Sequence, residues 1–379
     1  MLFKRDLFTG RRRSDAQARR RVLTGCITIL LFVLVFHRFV GRPAYGSISC
    51  RAQRYVFTSE NQCQLSSKKT HRVACESHIA KEHLYPGSAF LTDPSMVAFG
   101  NKFTLLPASD DSELFVIFRK SWSMWGPGDL VLGRSSLKSW KTGIRFANVT
   151  TVTSAPWSQC PWKETWREDP RFFIWDDQLY LSYTVLSVID YVQPTYRVSQ
   201  RTAFSRFDSN FNDEVFLDIG NNRHVSPDKF RWEKNWVFFE SGDSGTKYVI
   251  YSISPRFVVF DVSDRLLPTL VQNYSVATDP VQELRGGSSP ILLNGTYYMF
   301  VHTSAYDMYC VTFTPSLLIK TIALVPTSYR AFACGAVFDA QHRSWVVSLG
   351  SWHSGHLMTD MFATFLRFSH DHLLELLGT

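Results

Sequence analysis

No two of the seven cysteines in this chain stand as a C-x-x-C pair, so it lacks the closely spaced thiolates from which structural zinc sites are built. Helical periodicity is equally scarce. Until the last dozen residues almost no apolar stripe recurs every three or four positions, which excludes a bundle of helices. Net basic charge is missing from most of the chain: of a net +8 over 379 residues, the greater part sits in residues 1 to 21, where eight Lys and Arg face two Asp. The rest is nearly neutral, and a nucleic-acid-binding face is excluded for the folded body.

What is present starts at the N-terminus. Directly after the basic arm runs "VLTGCITILLFVLVF", Val22 to Phe36, uncharged for 15 residues and extending to Val40 if His37 and Arg38 snorkel to the interface. That is short for a plasma-membrane span but sufficient for a thin early-secretory bilayer. A secretory signal peptide is the competing reading. The absence of a small-x-small cleavage site after Phe36 and the basic front end favour an uncleaved anchor with its N-terminus in the cytosol. The expected organisation is therefore a cytosolic tail (1–21), a signal-anchor helix (22–40), a stem (41–84) and a lumenal domain (85–379), in a Golgi or ER membrane with single-pass type II topology.

Two features agree with a lumenal body. Asn148, Asn273 and Asn294 each begin an Asn-x-Ser/Thr triplet, the form of a glycosylation acceptor. Six cysteines lie beyond the anchor (Cys50, Cys63, Cys75, Cys160, Cys310 and Cys334), an even number that suits disulfides in an oxidising compartment.

Past residue 85 the chain reads as short aromatic and β-branched runs separated by turn residues, an all-β pattern. Five hairpin-like units stand out: "MVAFGNKFTLLPASDDSELFVIFR", "RFFIWDDQLYLSYT", "KNWVFFESGDSGTKYVIYSIS", "PILLNGTYYMFVHT" and "GAVFDAQHRSWVVSLGS". In each, an outer strand is expected to meet a polar turn and return. The intervals between units leave room for four strands apiece, which predicts a five-bladed β-propeller ending in a short helix, "HDHLLELLG". Asp110-Asp111 and Asp176-Asp177 resemble metal-binding carboxylate pairs, but both fall at expected hairpin turns, where Asp is favoured for local hydrogen bonds. "GDSG" (242–245) reads as a turn for the same reason. No metal or other cofactor is expected.

Polar clusters recur near the strand starts and ends: Asp93-Pro94-Ser95, Arg119, Glu168-Asp169-Pro170-Arg171, Glu233-Lys234-Asn235, Arg285-Gly286-Gly287, His302 and Cys334-Gly335. In register around a propeller axis they would wall a single pocket. The ordered series "EDPRFF", "EKNWVFFE", "LRGGSSPILLNGTYYMFVHT" and "FACGAVFD" with "WVVSLGS" resembles glycoside hydrolase family 130, the β-mannoside phosphorylases, and the related β-1,2-mannosyltransferases, over roughly residues 85 to 355. The resemblance implies that Asp169 is the single catalytic acid or base. It implies also that Lys234, Asn235 and His302 bind phosphate, with Arg119, Arg171 and Arg285 as further phosphate or sugar contacts. Asp93 completes the pocket. The last blade departs from the family, for His353 stands where a carboxylate is usual; it is placed with the substrate-binding residues, and the sugar recognised stays open.

Such a set suits inverting transfer at an anomeric carbon, which needs one base and a cationic cradle for the departing phosphate. Arg167 and Arg171, flanking Asp169 in sequence, are expected to keep it ionised. The topology points to a glycosyltransferase that moves mannose from a nucleotide sugar, GDP-mannose being the donor expected, to a glycan acceptor. The alternatives are a phosphorylase or hydrolase of mannosides, and a carbohydrate-binding propeller without catalysis.

Overall fold

The computed structural model describes residues 55–60, 76–80, 90–99, 112–121, 128–136, 145–153, 165–192, 195–207 and, apart from 218, 220–234, 243, 265–266, 278–282, 328–329 and 353–361, residues 213–378. The expected tail and anchor lie outside them. Among the described residues no helix is long and apolar enough to cross a membrane.

Two strands, β1 (Tyr55–Glu60) and β2 (Glu76–Ala80), precede the first blade. Blade 1 is β3 (Phe90–Phe99), β4 (Glu113–Ser121), β5 (Gly128–Ser136) and β6 (Arg145–Thr153). Blade 2 is β7 (Thr165–Trp175), β8 (Gln178–Val192), β9 (Thr195–Arg206) and β10 (Val215–Phe216). Blade 3 is β11 (Val237–Glu240), β12 (Lys247–Ser252), β13 (Arg256–Asp261) and β14 (Thr269–Ser275). In blade 4 the innermost strand is split into β15 (Leu284–Arg285) and β16 (Ile291–Leu293), which both pair with β17 (Thr296–Thr303), followed by β18 (Met308–Phe313) and β19 (Ile319–Leu324). Blade 5 is β20 (Arg330–Asp339), β21 (Ser344–Trp352) and β22 (Phe362–Ser369), and its fourth strand comes from the other end of the chain: β2 pairs antiparallel with β22, from Glu76 opposite Arg367 to Ala80 opposite Ala363. On its far side β2 pairs with β1, which bridges in turn to β6. The segment expected to be a stem thus contributes two strands to the propeller, and the last sheet closes with strands from both ends of the chain.

Five apolar clusters fill the five gaps between blades, and they explain why the strands are apolar on both faces. Phe172 and Ile174 pack with Phe115 and Ile117 between blades 1 and 2, whereas their neighbours Phe173 and Trp175 pack with Trp236 and Phe238 between blades 2 and 3. The same alternation sends Val237 and Phe239 toward blade 4, Phe300 to blade 5 beside Trp345, and Met96 with Phe118 to Phe365 across the closure. Successive side chains on a strand point to opposite faces, so "RFFIW" is one strand serving two interfaces. The Phe173 and Phe238 rings stack at 4.9 Å, and the Trp175 indole donates to the Phe239 carbonyl across the gap at 3.2 Å. Burying each such ring contributes about 1.5–3 kcal/mol.

The hairpins follow local turn chemistry. Asp176 and Asp177 both take left-handed φ (50° and 56°) between β7 and β8, and Asn294-Gly295 does the same between β16 and β17, the turn that matches strand twist. The Asp176 carboxylate holds Lys247 of the next blade, and among the described residues no cluster suited to a metal ion occurs. Gly242, Ser244 and Gly245 lie in the β11–β12 connection, which the Gly245 N–H closes on the Ser241 carbonyl. Asp110-Asp111 lies outside the described residues. The C-terminal helix α1 (His370–Leu377) is capped by the Ser369 hydroxyl, which accepts from the His372 N–H, and by left-handed Gly378. One expectation is reversed: the first strand of each unit lies innermost, lining the axis, rather than outermost. Two cysteines also depart from the disulfide reading. Cys310 and Cys334 are free thiols, each buried in a strand interior.

Candidate functional site

The innermost strands do not run straight past the axis. β3 slips register between Thr92 and Ser95, β7 between Glu168 and Arg171, and β20 between Ala333 and Gly335, placing bulges at Asp93-Pro94, Asp169-Pro170 and Cys334. In blade 3 the corresponding place is held by Asn235, just before β11, and in blade 4 by the break between β15 and β16. Asp93, Asp169 and Asn235 share a left-handed backbone, with φ of 50°, 50° and 65°. Asp and Asn are the side-chain-bearing residues that tolerate this conformation best. A bulge re-aims its side chain out of the pleat, and here three blades do so at equivalent positions.

Glycine makes the convergence possible. A Cβ at Gly286 would stand 2.1 Å from the Asn235 carbonyl oxygen, and one at Gly335 2.6 Å from the Met96 nitrogen. Cross-blade hydrogen bonds fix the level: the Phe172 N–H donates to Ser95 Oγ at 2.9 Å, the Ser289 hydroxyl to the Phe172 carbonyl at 2.9 Å, and the Ser348 hydroxyl to the Pro94 carbonyl.

The bulges of blades 1, 2 and 5 gather a buried charged cluster. Arg119 on β4 reaches Glu168 at 3.3 Å and Asp93 at 3.7 Å. Asp93, Arg119, Glu168 and Arg171 are all nine-tenths or more buried, whereas Asp169 is half-buried. Burial, reinforced by the negative charge of Asp169, pushes the Asp93 carboxyl up to about 6 despite the opposing pull of Arg119 and Arg171. Arg119 is held above its ordinary range: burial opposes its charge, but Glu168, Asp93 and Asp169 outweigh it. The Cys334 thiol is pushed up to about 12 by burial and stays neutral. Arg171 donates one terminal N–H to the Pro170 carbonyl at 2.8 Å, and its other terminal nitrogen is buried without a hydrogen-bond partner.

Of the residues singled out from sequence, Asp93, Arg119, Asp169 and Arg171 come together in this cluster. His302 is buried on β17 opposite Arg285, its ring parallel to Tyr306 and 5.6 Å from Phe332, two residues from Cys334. Asn235 and Arg285 line a separate cleft of about 430 Å³ between blades 3 and 4. Lys234 and His353 lie outside the described residues. So does the side chain of Asn148, while Asn273 and Asn294 are exposed, on β14 and in the β16–β17 turn.

One partner is new and one residue gains a role. Arg167 binds Glu214 at 2.8 Å, a carboxylate that also accepts from the Tyr183 hydroxyl at 2.7 Å. Glu168, counted among the polar clusters but given no role of its own, is the nearer carboxylate partner of Arg119. Its position beside a bulged Asp-Pro was the available signal, since the register slip turns both acidic residues toward the axis region instead of sending them to opposite faces.

No family model and no curated protein matches the chain. Among solved structures, one described with the GH130 family of mannoside phosphorylases aligns with a TM-score of 0.45 at 12% identity, covering 75% of this chain and 86% of its own. A GDP-Man-dependent mannosyltransferase from Leishmania mexicana aligns with a TM-score of 0.45 at 12% identity, over 74% of this chain and 86% of its own. A mannose phosphorylase from the same organism, in complex with phosphate ion, aligns with a TM-score of 0.41 at 13% identity, over 77% and 87%.

Proposed function

We propose that this chain is an inverting glycosyltransferase, anchored in a Golgi or ER membrane with its propeller in the lumen, which moves mannose from a nucleotide sugar to a glycan. One observation carries the reading: Asp169, half-exposed on a left-handed bulge, stands in the electrostatic field of buried Arg119, beside Arg171 with an unfilled donor. The acceptor oxygen bonds to the anomeric carbon as the bond from that carbon to the phosphate oxygen breaks. The bonding pair leaves with the nucleoside diphosphate, and the acceptor proton passes to the Asp169 carboxylate. Arg171, Lys234 and His302 take up the charge of the departing phosphate. The order of the sequence motifs supports the same roles, and the basic tail with its apolar segment supports the topology.

The test is release of nucleoside diphosphate by the purified full chain across a panel of nucleotide sugars with a mannan acceptor. Asp169→Asn is expected to lose about 10²–10⁴-fold in turnover while donor affinity is kept. A fully active Asp169→Asn protein removes Asp169 from the chemistry. Sugar phosphate formed from oligosaccharide and inorganic phosphate alone replaces the transferase with a phosphorylase, and no turnover in either assay leaves a binding propeller.

A further inference from the structure

The cleft between blades 3 and 4 is built differently from the axial cluster. Its volume of about 430 Å³ falls in the range of small-molecule sites. Tyr251, 38% exposed, forms one side, and beneath it lies the buried Trp236 ring at 5.4 Å. Opposite, Arg285 grips Glu283 with two parallel hydrogen bonds, Nε to Oε1 at 3.3 Å and Nη2 to Oε2 at 3.4 Å. That bidentate pair cancels its own charge. A diphosphate would find no net positive field there, whereas hydroxyl groups would find a strong acceptor beside strong donors in one plane. An exposed aromatic face supplies the apolar surface that the C–H side of a pyranose ring needs.

We propose that this cleft binds a neutral sugar residue of the glycan acceptor, beyond the residue that reacts. Its wall leads to the axial site: Arg285 pairs in register with His302, and the Gly286 backbone lies against Asn235, which lines the cleft at the left-handed bend of blade 3. Assigning the bound sugar to the acceptor rests on the transferase reading; the capacity of the cleft for a neutral saccharide does not.

Mannotriose binding to the full-length protein, followed by tryptophan fluorescence and calorimetry with no donor present, tests this. Tyr251→Ala and Glu283→Gln, both at exposed positions, are each expected to weaken binding about tenfold or more, through loss of the stacking face and of the charge-assisted hydrogen bond. Inorganic phosphate is expected not to compete. Mannotriose that fails to bind, binds both cleft variants as tightly as wild type, or is displaced by phosphate overturns the proposal. If mannotriose binds in the cleft but no donor is ever turned over, the transferase reading fails and the saccharide site stands. If transfer occurs with mannotriose affinity unmoved by Tyr251→Ala and Glu283→Gln, the cleft alone is refuted.

Discussion

Replacing Asp93 by Asn keeps the shape and the tolerance for a left-handed backbone while deleting one buried charge. Asp93 is 1% exposed, and its carboxyl is raised from an ordinary 3.8 to about 6. A carboxyl raised in the folded state adds stability that is fully present below its unfolded value and lost as the pH rises through the folded one. The loss comes to about 3 kcal/mol between pH 3 and pH 8 at 1.36 kcal/mol per unit. About half of that, roughly 1.4 kcal/mol, develops between pH 5 and pH 8. Urea denaturation of wild type and Asp93→Asn over that interval isolates it, because groups common to both proteins cancel in the difference. What remains is Asp93 and the charges facing it: Asp169, Glu168, Arg119 and Arg171. Wild type is expected to lose ground to the variant by about 1.4 kcal/mol as the pH rises. Parallel curves, or wild type gaining ground, would mean that the two arginines outweigh burial and that the cluster holds no carboxyl ready to take a proton near pH 6.

Gly286→Ala puts a methyl group 2.1 Å from the Asn235 carbonyl, so the blades must part. A loss of about 1–3 kcal/mol is expected, read as a lower thermal midpoint, and an unchanged midpoint would show that the two backbones are not in tight contact. The exposed Asn273 and Asn294 are expected to carry glycans in a secretory-pathway host. Asn273→Gln and Asn294→Gln should then each remove one endoglycosidase-sensitive gel shift, and a protein that never shifts removes the lumenal assignment.

The blade repeat was legible in the sequence because it is written locally. Each hairpin has its own turn, such as Asp176-Asp177 or Asn294-Gly295, and its own paired runs, so "RFFIW" and "YYMFV" identify themselves as strands without reference to anything distant. Asp93, Arg119, Asp169 and Arg171 could be grouped because each lies at the start or end of such a run. Long-range pairing left no comparable trace. Nothing in "ESHIA" announces that its partner is "ATFLR" almost the whole length of the propeller away, and nothing around Arg167 points to Glu214. The placement of the first strands at the axis was missed for a related reason: in a ring, inner and outer strands can both be apolar, and only the bulges distinguish them. The blade 3–4 cleft depends on two side chains from different blades, Tyr251 and Glu283, neither unusual alone.

The pairing of β2 with β22 makes the propeller a belt whose buckle joins its two ends. During synthesis Glu76–Ala80 can pair with β1, but its other edge stays open until Ala363–Arg367 emerges, so four blades must be built before the circle can lock. Contacts so distant in sequence are entropically expensive to find and slow to form. The same latch means that trimming either terminus back past its strand opens the circle at one place, between blades 5 and 1, beside the Asp93 bulge.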